Sequence, residues 1–109
     1  MVRSVLYVRA KSGKASAVVQ YYKRARVLET ALEQPGCLAS EIQVPVDENE
    51  LLLVTALWES ADAYQGWIEN PVRRTFAEEL ADLVDESLAD AKGGVYEVAH
   101  AVAVKTEKS

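Results

Sequence analysis

The 109-residue sequence predicts an α+β domain of ferredoxin-like type, a four-stranded antiparallel sheet with its helices on one face. Three observations predict it. Residues 2–10 and 95–105 alternate with the period of two that marks a strand, whereas residues 18–33 and 76–91 repeat apolar side chains at helical spacing. Two further apolar runs, 37–46 and 51–59, are separated only by the polar turn Asp47-Glu48-Asn49-Glu50. The order is therefore β-α-β-β-α-β, and right-handed crossovers put both helices on the same side of the sheet.

Each element has a local cause. In the first strand Val2, Leu6, Val8 and Ala10 form one side, against Arg3, Tyr7 and Arg9 on the other. Ser12-Gly13 makes a turn, and Val18, Tyr21, Tyr22, Ala25, Leu28 and Leu32 then predict an amphipathic helix down to about Glu33. Pro35-Gly36 stops it, because proline cannot continue the hydrogen-bond ladder and glycine accepts the conformations that follow helix ends. Pro45 has no N–H to give to a ladder, so the second strand belongs at a sheet edge. Ser60 is placed to cap a short helix, 61–69, and Asn70-Pro71 separates it from a longer one built on Phe76, Leu80, Leu83, Val84, Leu88 and Ala91. Gly93-Gly94 is expected to end that helix before the fourth strand. The domain is read as residues 1–105, with 106–109 a flexible C-terminal tail.

The second sheet face has nothing to cover it. Residues 51–58 are apolar on both sides, and the last strand places Val98, Val102 and Val104 on one side and Val95, Ala99, Ala101 and Ala103 on the other. Four strands of about eight residues give a face of roughly 500 Å², near the upper end of what a monomer leaves bare. A homodimer joined through the sheet face is the simplest expectation.

Charge and composition narrow the functional classes. A net charge of -5, spread along the chain, repels phosphate backbones and anionic bilayers, so neither nucleic acid nor membrane is expected as a partner. Met1 to Ala10 lacks an apolar signal region, and no stretch is long and apolar enough to span a bilayer. Cys37 is the single cysteine, which precludes an intrachain disulfide and fits a reducing, cytoplasmic setting. One histidine and one cysteine cannot assemble a zinc or iron–sulfur ligand set. The acidic residues from Glu78 to Asp90 trace a solvated helix side, so no metal site is expected there. No glycine-rich phosphate loop, nucleophile elbow or H-E-x-x-H helix is present.

Several side chains remain as candidates. Trp58 at a strand end, and Tyr64 and Trp67 on one helical face, are suited either to core filling or to a wall for a planar ligand. Arg73 and Arg74 stand in a first helical turn, where the macrodipole disfavours positive charge. Ion pairs with Glu69 and Glu78 would compensate, and so would an anionic ligand. His100 is the one side chain ready-made as a base at neutral pH, although a hydrogen-bonded structural role suits it equally. Tyr7, Tyr21, Tyr22 and Tyr96 supply phenolic hydroxyls that could direct a ligand or sit at the rim of a core.

Pro35-Gly36-Cys37-Leu38, Trp58-Glu59-Ser60 with Ala63-Tyr64 behind it, Trp67 and Asn70-Pro71 together resemble the antibiotic-biosynthesis-monooxygenase family of dimeric α+β barrels. The resemblance runs from the first strand to the last. It implies a cofactor-independent monooxygenase acting on a small phenolic or quinone-like metabolite, with no metal or flavin. In that chemistry a deprotonated substrate passes an electron to dioxygen, recombines to a peroxide and loses water, while the protein holds a flat phenol in a dry pocket and favours its anion. By resemblance, Trp58 and Tyr64 line the pocket and Arg73 or Arg74 attends an anionic oxygen; from the residues themselves, Trp67, Phe76 and Tyr7 are further candidate binding positions and His100 is a candidate base. An asparagine found on the third strand of quinone-forming members is Val54 here. Haem-degrading relatives use a first-strand asparagine and an axial histidine, where this chain has Leu6 or Tyr7 and Phe76 or Ala77; haem degradation is not expected. The alternative is a non-catalytic dimer of the same fold that binds a small molecule or interacts with other proteins.

Overall fold

The computed structural model describes residues 1–47, 49–85 and 93–104. The elements run β1 (Val2–Arg9), α1 (Ala15–Arg24), α2 (Val27–Leu32), β2 (Cys37–Gln43), β3 (Leu51–Trp58), α3 (Ala61–Ile68), α4 (Val72–Leu80) and β4 (Gly93–Glu97). The sheet is four-stranded and antiparallel, in the order β2-β3-β1-β4. The ferredoxin-like arrangement is therefore present, and β2, with Pro45 just beyond it, is an edge strand.

Register fixes which side chains face the helices. In β1 against β3, Val2 pairs with Trp58, Ser4 with Ala56, Leu6 with Val54 and Val8 with Leu52. Alternation turns all eight towards α1 to α4. Trp58, Leu52, Leu80, Val8 and Val18 are the largest fully buried side chains, each contributing about 1.5–3 kcal/mol by leaving water. Across the sheet lie Arg3, Val5, Tyr7 and Arg9 of β1 with Leu51, Leu53, Thr55 and Leu57 of β3, a face that no helix among the described residues covers.

Four expectations are corrected. The first helix is two, because Arg26 adopts a left-handed conformation (φ 56°, ψ 44°) that resets the helical phase. The inward residues after the break are Val27 and Ala31, while Leu32, expected inside, is 49% exposed. Sequence periodicity carries no mark of such a reset, since arginine is not a residue that invites positive φ.

The second correction concerns the last long helix, which ends at Leu80. Among the described residues strand β4 pairs with β1 from Val2 to Leu6, and the far end of that β1 edge has other partners. Residues 83–85 supply them: Asp85 N donates to the Arg9 carbonyl (2.9 Å), Lys11 N to the Leu83 carbonyl (2.9 Å), and Val84 bridges Ala10. Leu80 and Val84 are still buried as the pattern required, whereas Leu88 and Ala91 lie outside the described residues.

Third, Gly93-Gly94 lies within β4, as its first two residues, and not ahead of it. A Cβ at Gly93 would sit 1.7 Å from the Val5 carbonyl oxygen, so only glycine permits this backbone approach. Fourth, β4 stops at Glu97 and residues 98–104 have no regular structure. Val102 and Val104 are 86% and 91% exposed instead of alternating across a strand. β2 likewise ends at Gln43 rather than Val46, and the tail 106–109 lies outside the described residues.

Ser60 caps α3 as its sequence position predicts, its Oγ accepting from Ala63 N at 3.1 Å. Among the described residues no helix is long and apolar enough to cross a membrane.

Candidate functional site

Between the helix layer and the sheet lies a cavity of about 580 Å³. Ser4 and Leu6 of β1 and Val54 and Ala56 of β3 form its floor, Tyr22 of α1 and Ala31 of α2 one wall, and Tyr64, Trp67, Arg73 and Phe76 of α3 and α4 the other. The register explains the floor: Ser4 opposite Ala56 puts two small side chains on the inward face of the two central strands and leaves the space above them unfilled, beside the pair Leu6 and Val54.

The helix pair over the cavity is positioned by Asn70. Its Oδ1 accepts from Val72 N at 3.0 Å and so starts α4, while its Nδ2 donates to Gln34 Oε1 at 3.3 Å and ties the α3–α4 corner to the segment after α2. Trp67 at the end of α3 and Phe76 one turn into α4 are thereby turned inward, and both are buried. Their burial and their place in the lining answer the alternatives the sequence left open: each side chain packs in the core and also presents a surface to the cavity.

Arg73 and Arg74 both line the cavity. Among the described residues neither has a carboxylate within salt-bridge distance, so the expected pairs with Glu69 and Glu78 do not form. Arg73 is half-buried and its guanidinium lies near two phenols, Tyr22 and Tyr64. Burial raises both phenols above the ordinary tyrosine range, and Arg73 opposes that rise in each. At neutral pH the two hydroxyls are protonated hydrogen-bonding groups, not bases.

Trp58 is completely buried, and its ring centroid lies 5.5 Å from that of Tyr64 at an interplanar angle of 57°. It stands behind the lining instead of in it, and its Nε1 donates to Ser4 Oγ at 3.0 Å. Tyr7 and His100 are not brought to this place. Tyr7 lies on the uncovered sheet face and is 42% exposed, and His100 is exposed in the segment after β4. Tyr21, a neighbour of Tyr22 in sequence, donates its hydroxyl to Glu79 and ties α1 to α4 away from the lining.

Ser4 is the cavity residue that the sequence argument passes over. The signal was available: it is the lone polar side chain in the inward frame Val2, Ser4, Leu6, Val8, Ala10.

A ferredoxin-like α+β domain with an aromatic-walled cavity between sheet and helices is thus the class that fold and site define. The family model for antibiotic biosynthesis monooxygenase matches residues 1–79, and the chain belongs to that family. No curated protein sequence matches it. Among solved structures, a candidate antibiotic biosynthesis monooxygenase from Deinococcus radiodurans is similar at a TM-score of 0.76 and 20% identity, covering 97% of this chain and 100% of that one. SnoaB, a cofactor-independent oxygenase from Streptomyces nogalater, is similar at a TM-score of 0.74 and 18% identity, covering 93% and 95% respectively. A conserved protein from Methanosarcina mazei is similar at 0.71 and 17%, covering 87% and 89%. At these identities the likeness is one of fold.

Proposed function

We propose that the chain is a cofactor-independent monooxygenase acting on a small, flat phenolic or quinone-like molecule bound in the cavity. The observation that carries this reading is Arg73: a half-buried cation with no carboxylate partner among the described residues, facing a cavity walled by Tyr22, Tyr64, Trp67 and Phe76. A volume of about 580 Å³ is well above the roughly 300 Å³ at which small-molecule sites begin. A planar phenol would stack along Trp67 and Phe76 with its oxygen towards Arg73, whose charge lowers the cost of ionising it. The phenolate then supplies an electron to dioxygen, the two radicals combine to a peroxide, and loss of water leaves the quinone, so that phenol and O₂ become quinone and H₂O. The cavity contains no histidine, so the proton leaves to solvent or to a rim carboxylate, and the electrostatic contribution of Arg73 replaces a strong base.

Oxygen uptake measured with a panel of hydroxylated bicyclic and tricyclic aromatics tests the reading. Consumption that falls at least about tenfold in Arg73→Gln and in Trp67→Ala is expected. Measurable binding with no uptake for any compound favours the second reading, a non-catalytic small-molecule-binding dimer, which Val54 supports by placing an apolar side chain where quinone-forming members carry an amide.

The same proposal includes a homodimer in a reducing, cytoplasmic setting. Val5, Leu51, Leu53 and Leu57 on the uncovered sheet face, with Tyr7 and Tyr96 beside them and Val102 and Val104 exposed beyond β4, support burial against a second copy. Sedimentation at micromolar concentration is expected to give twice the 12.0 kDa chain mass. A lone chain would rule this assembly out.

A further inference from the structure

The hydrogen bond between Trp58 and Ser4 has a direction that chemistry fixes. An indole N–H can only donate, so Ser4 Oγ is the acceptor at 3.0 Å, and one of its lone pairs is taken. The serine proton must then point elsewhere. Among the described residues it is paired with no acceptor, and the residues beside Ser4 on the two neighbouring strands are Ala56 and Val95, neither of which carries a side-chain acceptor. The remaining direction is the cavity, which Ser4 lines at the centre of its floor.

We propose that Ser4 is a substrate-binding residue, an oriented hydrogen-bond donor to an acceptor oxygen of the bound aromatic molecule, with Trp58 as the positioning residue that holds the hydroxyl in place. The inference rests on the reading of the cavity as an aromatic ligand site, and it deepens it. Arg73 on the α4 wall and Ser4 on the sheet floor are two polar points of a lining that also presents the aromatic surfaces of Trp67 and Phe76. A fused-ring molecule with two oxygens engages both points where a single phenol engages one, so the class of ligand narrows to hydroxyketones and quinone-like compounds. One oxygen carries or acquires negative charge at Arg73, and the other is a carbonyl that accepts from Ser4. Because Trp58 is completely buried and already committed to Ser4, it acts through the serine and does not itself reach the ligand.

Titration calorimetry with matched probes tests this. α-Tetralone carries a carbonyl that accepts and cannot donate, and tetralin is the same bicycle without it. In the wild type α-tetralone is expected to bind about tenfold more tightly than tetralin, as one buried hydrogen bond allows. Ser4→Ala should abolish that preference while leaving tetralin affinity unchanged, and Ser4→Thr, which keeps the hydroxyl, should restore it. Ser4→Ala strands the Trp58 N–H, so the double variant Ser4→Ala with Trp58→Phe removes both partners and provides a folded control in which the preference must again be lost. If the wild type binds neither probe, nor naphthol, the cavity is not an aromatic site and both readings fall. If the wild type prefers α-tetralone and Ser4→Ala keeps the full preference, the ligand site stands and the role of Ser4 is overturned.

Discussion

A Cβ placed on Gly36 would lie 2.6 Å from the Cβ of Ala63, because the turn into β2 passes directly against the first turn of α3. Gly36 also has φ +86°, a conformation that a side chain disfavours by about 1 kcal/mol. Its carbonyl accepts from Glu59 N at 2.8 Å, which joins the start of β2 to the end of β3 beneath α3. The motif Pro35-Gly36-Cys37-Leu38 is therefore a packing requirement of the α3 corner that carries Tyr64 and Trp67.

Gly36→Ala should lower stability by about 2–4 kcal/mol, the sum of backbone strain and overpacking. Adding Ala63→Gly should recover the steric part and leave the strain. Gly13→Ala is the control: φ is +74° but nothing lies within 4 Å, so only the backbone cost of about 1 kcal/mol is expected. Urea denaturation of the three variants beside the wild type separates the terms.

Stability should fall on the alkaline side. Burial, then the hydrogen bond to Glu79, raises the Tyr21 phenol above its usual 10.0, and burial raises Tyr22. The folded state thus favours the neutral phenols over the unfolded state. The stabilisation is complete below about pH 10 and is lost as pH climbs towards the raised folded-state values. Thermal midpoints should decline more steeply above about pH 10 in the wild type than in Tyr21→Phe or Tyr22→Phe. Parallel curves would show that these rings do not couple to folding.

Affinity for a phenol should rise with pH as the ligand ionises, and Arg73 is the group responsible. Arg73→Gln is expected to flatten that dependence and to weaken binding of the anion by about tenfold, with little change for an uncharged bicycle. Arg74→Gln, at the exposed neighbouring position, should have the smaller effect. Equal loss in both variants would contradict the assignment of the charge to Arg73.

Cys37 should be a slow nucleophile. Burial raises its thiol above 9.0, only partly offset by a contact with the Ala39 carbonyl, so little thiolate exists at neutral pH. Alkylation by iodoacetamide at neutral pH is expected to be at least about tenfold slower in the native protein than in urea, followed by mass spectrometry.

How much of this was legible beforehand depends on the range of the information. Tyr64 and Trp67 were found because three-residue spacing on a helix is local, and Arg73 because a cation in a first helical turn calls for a partner. The same locality misplaced Tyr7 and His100: the first alternates correctly along its strand but onto the uncovered face, and the second sits in a segment whose strand pattern ends at Glu97 in the structure. Ser4 was passed over because a single serine in an apolar frame reads as an interruption until its partner, 54 residues away, is seen.

By itself the sequence determined the order of elements, the edge position of β2, the Ser60 cap and most inward-facing residues, since periodicity, proline, glycine and capping act over a few positions along the chain. Tertiary structure alone decided that residues 83–85 close the β1 edge, and that Ser4 and Arg73 line one cavity with Trp58 hydrogen-bonded to Ser4 behind it. The reason is physical: each of these is a pairing between distant segments, where register and packing choose among partners that local patterns leave equivalent.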